Sequence, residues 1–315
     1  MTSYLDLLLL ILPVFGVMAV GVVMRRGQWL KPEADASLLR LLVNVLYPCI
    51  IFTHVFDNPA LREPTNLGWA PLMGFITMSA GMAICYGAGR MLGFTVGNGL
   101  RTFAFTVGIY NYSYITVPVM EDLFGPESIG VLFVHNLGCE VAIWVVGILI
   151  LSGQSLRTGW RKLINAPIIA LIFSVAVNLS GIHVHVPDAL MVAVSALAAC
   201  AIPFGLLLSG ATLGEQMTRK TTDLFDLRTT LAAVVLRLGV LTLLMLIAAR
   251  YGPFSDELRH VIMVQAVMPA GFISMVLVNH YGGHPLVAAR VVVATVFAGV
   301  LLIPLWLRFA LAWVG

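Results

Sequence analysis

Ten apolar runs follow one another along a chain of 315 residues, each about long enough to cross a bilayer as a helix and separated by short polar breaks. They begin near Tyr4, Ser37, Trp69, Arg101, Ser128, Asn165, Pro187, Leu227, Leu258 and Pro285. About 20 apolar residues span a hydrocarbon layer some 30 Å thick, so this length allows ten passes and leaves little over. Composition agrees: 10% of the residues are charged, against about one-quarter in ordinary soluble chains. Breaks such as Arg25 to Asp35 and Ser152 to Lys162 are too short for a folded insert. The expected class is an all-α integral membrane protein of ten transmembrane helices, residues 1–315 forming one membrane domain.

The net charge of +3 is too small and dispersed for nucleic acid, and the basic residues sit in clusters between runs. Connections after odd-numbered segments hold Arg25, Arg26, Lys31, Arg90, Arg157, Arg161, Lys162, Arg219, Lys220 and Arg228; the opposite loops hold Arg62, Arg250 and Arg259. Basic loops are retained in the cytoplasm, which predicts a plasma or inner membrane location with both termini outside. Met1 to Asp6 has no basic region and no small-residue cleavage signature follows, so the first run reads as a retained helix. Cys49, Cys85, Cys139 and Cys200 lie singly in apolar runs, without the spacing of a zinc site or disulfide framework; packing is their expected role.

Prolines recur inside apolar runs at nearly matching intervals: Pro13, Pro48 and Pro118 in the first half, Pro167, Pro203 and Pro269 in the second. Halves of five segments (repeat one 1–152, repeat two 163–315) enter the membrane from opposite sides because five is odd. That predicts an inverted repeat, a device of transporters. In the fourth segment, Asn111-Tyr112-Ser113-Tyr114-Ile115-Thr116-Val117-Pro118 places polar and aromatic residues at mid-membrane depth before a proline. The ninth carries Gln265-Ala266-Val267-Met268-Pro269-Ala270-Gly271. Proline cannot complete the helical ladder, so both helices are expected to open there. Opened backbone facing lipid leaves groups unsatisfied at several kcal/mol each, hence the breaks should line a cavity or be covered by protein. Opposed half-helix N-termini suit a carboxylate. Asn111, Tyr112, Tyr114, Pro118, Gln265, Met268 and Pro269 are the candidate substrate-binding residues, joined by Asn136 of the fifth segment. The bland alternative is a pair of kinks that only shape packing.

These stretches resemble the auxin efflux carrier family, which includes plant PIN proteins and bacterial organic-acid permeases. The similarity covers nearly the whole length. It is carried by Met24-Arg25-Arg26-Gly27 through Tyr47-Pro48-Cys49-Ile50-Ile51-Phe52, by Asn111, Pro118 and Gly125 at intervals of seven, by Ile202-Pro203-Phe204-Gly205 through Ser209-Gly210-Ala211, and by Met268-Pro269-Ala270-Gly271 with His284-Pro285. The resemblance implies two inverted five-helix repeats in which broken helices four and nine cross. It further implies a scaffold of helices one, two, six and seven, a transport domain of helices three to five and eight to ten, elevator-like movement and a homodimer joined through the scaffold. The chain lacks the long loop that plant members carry after the fifth segment, so mono- or dicarboxylates such as malonate or malate are better substrates than auxin-like acids.

Glu140 and Arg237 fall near the middle of the fifth and eighth segments, where a lone charge is costly. They are expected either to pair with each other or to let a proton on Glu140 couple to substrate movement; the family tends to have an amide where Glu140 stands. No organic cofactor or metal is implied, and H+ or Na+ remains open as coupling ion. Asn136, one turn before Glu140, shares its helix face, while His135 reads as a packing residue. His183 and His185 read as solvated loop, and Arg290 as a residue that snorkels at the start of the tenth segment. An intramembrane enzyme would need a nucleophile with a base, an aspartate pair or a His-Glu-x-x-His metal site, and none is present. A channel or substrate-sensing receptor is the competing class, but a channel wants a continuous polar pore, whereas the polar residues converge on two helix breaks.

Overall fold

A computed structural model describes residues 3–153, 164–181, 186–217 and 226–315. His183 and His185, and the basic residues Arg157, Arg161, Lys162, Arg219 and Lys220, lie outside them. All described elements are helical, apart from an isolated backbone bridge. They are α1 Tyr4–Arg26, α2 Pro32–Val55, α3 Pro64–Met91, α4a Leu100–Gly108, α4b 116–124, α5 126–152, α6 Ala166–Ser180, α7 Asp188–Gln216, α8 Leu227–Tyr251, α9a Asp256–Ala266, α9b Ile273–His280 and α10 Pro285–Trp313. Among the described residues, seven continuous stretches are long and apolar enough to cross a membrane, one of them the 37-residue stretch Thr116–Ser152. Gly125, with φ 74° and ψ −177°, divides that stretch into α4b and α5.

Close approach through small residues holds the bundle together. A Cβ at Gly21 of α1 would lie 2.2 Å from the Leu207 carbonyl oxygen of α7, and one at Gly210 would lie 2.0 Å from that of Met18. The α3–α5 contact works the same way, with Gly74 against the His135 carbonyl and Gly138 against that of Pro71. Backbones meeting this closely gain dispersion where no hydrophobic force drives helices together in lipid. α2 packs on α6 and α7, and α8 on α10.

The two ends of the bundle carry different polar clusters. At one end Asn178 of α6 donates to the Val55 and Asn58 carbonyls, at 2.9 and 2.8 Å. Asn58 donates to the Glu127 carbonyl, and Ser255 to Asn66 Oδ1. At the other end Arg25 bonds Asp35 at 2.5 Å and lies 3.6 Å from Glu215, while the His284 N–H donates to Thr102 Oγ1.

Proline alone does not mark the breaks. Pro13 and Pro203 lie within continuous helices, and Pro167 sits in the first turn of α6. Pro48 follows a π-turn, Leu42–Leu46, that absorbs its missing donor without stopping the helix. The fourth segment opens over residues 109–115 rather than at Pro118, which occupies the first turn of α4b, where an N–H has no intrahelical acceptor anyway. Pro269 does lie inside its break, at residues 267–272.

Candidate functional site

The two breaks meet backbone to backbone. Tyr110 and Ala270 form an antiparallel bridge in which the Asn111 N–H donates to the Pro269 carbonyl and the Gly271 N–H to the Ile109 carbonyl, both at 2.8 Å. Two interrupted helices thereby satisfy each other's groups where burial keeps water out, Ile109, Tyr110 and Ala270 being wholly buried. Gly271 is needed for this approach: a Cβ there would lie 2.9 Å from the Tyr110 carbonyl oxygen.

Side chains from neighbouring helices pin each break. Asn136 of α5 donates to the Tyr112 carbonyl at 2.9 Å. Gln265 donates to the same carbonyl at 3.2 Å and to Asn136 Oδ1 at 3.1 Å, so the amides of both halves form one network. Thr116 donates to the Asn111 carbonyl, and the Ala270 N–H to Thr295 Oγ1 of α10. Gln265 is wholly buried, Asn111 4% exposed and Asn136 6%. Most of these groups are used up internally, but Asn111 Nδ2 is buried with no partner among the described residues. An unmade donor in this setting costs about 1–3 kcal/mol until something accepts from it. Met268 is buried in the second break, whereas Tyr112, Tyr114 and Pro118 are partly exposed along the edge of the crossing.

That edge faces α2 and α7. Tyr47 of α2 donates to Ser113 at 2.5 Å, and its ring meets that of Tyr114 edge-on with centroids 6.2 Å apart. The Tyr114 ring lies in a dimple on α7 left by Gly205, whose added Cβ would be 2.3 Å from Tyr114 Cδ1.

Glu140 and Arg237 do not pair with each other. Glu140 Oε1 accepts from the Tyr112 hydroxyl at 2.6 Å and Oε2 from Trp144 Nε1 at 3.0 Å, two neutral donors. Arg237 points instead to the C-terminal end of α9a, donating to the Ala266 carbonyl at 2.9 Å, with its guanidinium 5.3 Å from the Tyr110 ring centroid. A cation at the negative end of a half-helix, over an aromatic face, is held without a carboxylate. The π-turn Leu236–Leu241 contains Arg237, and Thr242, just after it, adds a second donor to Ala266. Arg237 is 1% exposed and its Nε has no partner among the described residues, so it leaves a fixed positive charge beside the crossing.

His135 is a buried packing residue, its Nδ1 3.7 Å from Cys139 Sγ. The four cysteines are free thiols. Thr116, Thr242, Thr295, Ser113 and Tyr47 were not among the expected site residues. Ser113 and Thr116 lie in the polar run that marks the fourth-segment break. Threonines inside apolar helices usually bond their own preceding turn, however, so nothing in the sequence separates Thr242 and Thr295 from the rest. Tyr47 meets Ser113 across 66 positions of chain, which no spacing rule finds.

The sequence profile of a family described as "Membrane transport protein" matches residues 7–158 and 154–307. A protein of Methanothermobacter thermautotrophicus called an uncharacterized transporter is 26% identical over 302 residues, 92% of this chain and 96% of its own.

Proposed function

Since the chain belongs to the membrane transport protein family, the auxin efflux carriers, we propose that it is a secondary carrier of small organic anions, mono- or dicarboxylates such as malonate or malate. The observation that carries this reading is the hydrogen-bonded crossing of the two interrupted helices, with Asn111 Nδ2 unpartnered and Arg237 buried without a carboxylate beside it among the described residues. A carboxylate accepts from the amide, gains from the half-helix N-termini of α4b and α9b, and balances the cation. Tyr112, Tyr114, Pro118, Asn136, Gln265, Met268 and Pro269 form the walls of that site.

In this reading the helices make ten crossings as two inverted five-helix repeats, with basic loops in the cytoplasm and both termini outside. α1, α2, α6 and α7 are the scaffold, joined to a second copy, and the rest moves as an elevator with the crossing on board. Contacts of Tyr114 with Tyr47 and Gly205 are then the sliding surface, remade on the other side of the membrane. Glu140 is the coupling group: a carboxylate on two neutral donors takes up a proton without losing an ion pair, which favours H+ over Na+. The other titratable groups facing it are Tyr47, Tyr114 and Cys139.

Purified protein tested against malonate, malate and longer carboxylates, each beside its neutral amide, provides the first check, because a ligand of the folded state raises the unfolding midpoint. Stabilisation by at least one acid and not by its amide is expected. Uptake of that acid into proteoliposomes should saturate. If no carboxylate stabilises the protein, or if flux stays linear in concentration as through a pore, this function is wrong.

A further inference from the structure

Away from the crossing, at the end of the bundle where α3 finishes and α4a, α8 and α10 begin, lies a cavity of about 460 Å³. That falls within the range of small-ligand pockets, about 300–1,000 Å³. Its walls are Phe94 and Asn98 from the turn after α3, Asp226, Arg228 and Thr229 from the start of α8, and Val287 and Arg290 from the first turns of α10. We propose that this cavity binds the phosphate-bearing headgroup of an anionic membrane lipid.

Two guanidinium groups and one carboxylate line it, so the wall carries a net positive charge. Asp226 caps α8, accepting from the Thr229 N–H at 3.3 Å and from the Thr229 hydroxyl, and forms an ion pair with Arg290, whose Nη1 stands 3.7 Å away, so Arg228 is the cation of the wall that Asp226 does not balance. The hydroxyl bond, more than any other influence, holds Asp226 below the usual carboxylate range, so it does not lose its charge near neutral pH.

Arg228 is the group presented to a ligand. Its guanidinium lies 4.8 Å from the centroid of the Phe94 ring and makes no hydrogen bond or ion pair to a described residue. The Phe94 ring is itself stacked on Phe103, centroids 4.7 Å apart, which fixes the platform. Gly93 leaves room for the arrangement, since a Cβ there would lie 2.7 Å from Arg228 Nη2, and its φ of 78° suits glycine. A planar fork over an aromatic face, its N–H donors making no bond to a described residue, matches phosphate oxygens.

The surroundings favour a lipid over a phosphate from solution. Met91 is 90% exposed and Leu227 78%, with Leu92 and Val96 also exposed, so large apolar side chains flank the charged wall on two of the three contributing segments. A headgroup seated on Arg228 would lay its acyl chains across those side chains, which water would only penalise.

Full-length protein is measured in vesicles or nanodiscs of phosphatidylcholine with and without phosphatidylglycerol, and separately in detergent with inorganic phosphate. Phosphatidylglycerol should remain bound through delipidation, seen by native mass spectrometry, and should raise the unfolding midpoint above that in phosphatidylcholine alone. Arg228→Gln should weaken retention about fivefold, the effect of one basic residue at an anionic surface, and Arg228→Lys should recover part of it. Equal retention of the two lipids, equal retention by wild type and Arg228→Gln, or full stabilisation by inorganic phosphate without lipid would each overturn the proposal. If Arg228→Gln does not fold, the comparison of the two lipids on wild type, with Asn98→Ala as the second variant, decides it. Uptake of carboxylate is a separate readout and does not enter this result.

Discussion

Glu140 shows how a carboxyl group can be held inside a helical bundle by neutral donors alone. Its oxygens accept from the Tyr112 hydroxyl and the Trp144 indole, whose positions are set by the first break and by the next turn of α5. Tyr112 also offers its carbonyl to Asn136 and Gln265, so a change at Glu140 reaches the crossing through a single residue. Adding a proton would turn one oxygen into a donor and force the Tyr112 hydroxyl to turn or release. Glu140→Gln keeps the size and one acceptor but cannot titrate. We expect the variant to fold and bind its substrate, while uptake in proteoliposomes loses its dependence on an imposed pH gradient. An unchanged dependence would remove Glu140 from coupling. Asn111, by contrast, was legible as a residue of the break because an amide inside an apolar run needs a partner. Arg237 was legible only as a buried charge, since its true acceptor is a backbone carbonyl 29 positions along the chain, which no spacing rule can find.

Breaks in helices depend on what covers them as much as on the residues that start them. The fourth segment opens over 109–115, ending three residues ahead of Pro118, because the break between α9a and α9b supplies two backbone partners there and Asn136 a third. Apolar periodicity and polar residues at mid-depth therefore located the break to within a turn, and pairing fixed the rest. Gly125 is a different kind of joint. Its φ and ψ lie where a side chain is strained, yet a Cβ at 125 would meet nothing within 4 Å, so its burden is backbone conformation alone. Gly125→Ala should destabilise the fold by about 1–3 kcal/mol, read as a lower unfolding midpoint in detergent. Gly16, inside α1 with nothing near its Cβ position, is the control: Gly16→Ala should be neutral or stabilise by up to about 1 kcal/mol. Equal effects at the two sites would mean that the turn at 125 is not held in this conformation.

Across the whole molecule, glycines in two places have opposite consequences for motion. Gly21, Gly210, Gly74 and Gly138 let backbones touch and lock α1 to α7 and α3 to α5; these contacts are extensive and have no reason to part. The contact between the crossing and α2 and α7 is smaller and made of side chains: a Tyr47–Ser113 hydrogen bond, an edge-on tyrosine pair, and the Tyr114 ring over Gly205. If a part of this bundle slides, it is at that second surface that contacts break and re-form at modest cost, since side chains can exchange partners where locked backbones cannot. Gly205→Ala tests this directly. Its methyl group would come within 2.3 Å of the Tyr114 ring, so the ring must leave its dimple, and the conformation described here loses stability relative to any other in which Tyr114 lies elsewhere. We expect a variant that folds, keeps the α1–α7 contact and shows uptake reduced at least several-fold, with the Tyr114→Ala, Gly205→Ala double variant recovering part of the loss. Should Gly205→Ala transport like wild type, the Tyr114 contact is not one that transport must pass through, and the moving surface has to be sought elsewhere in the bundle.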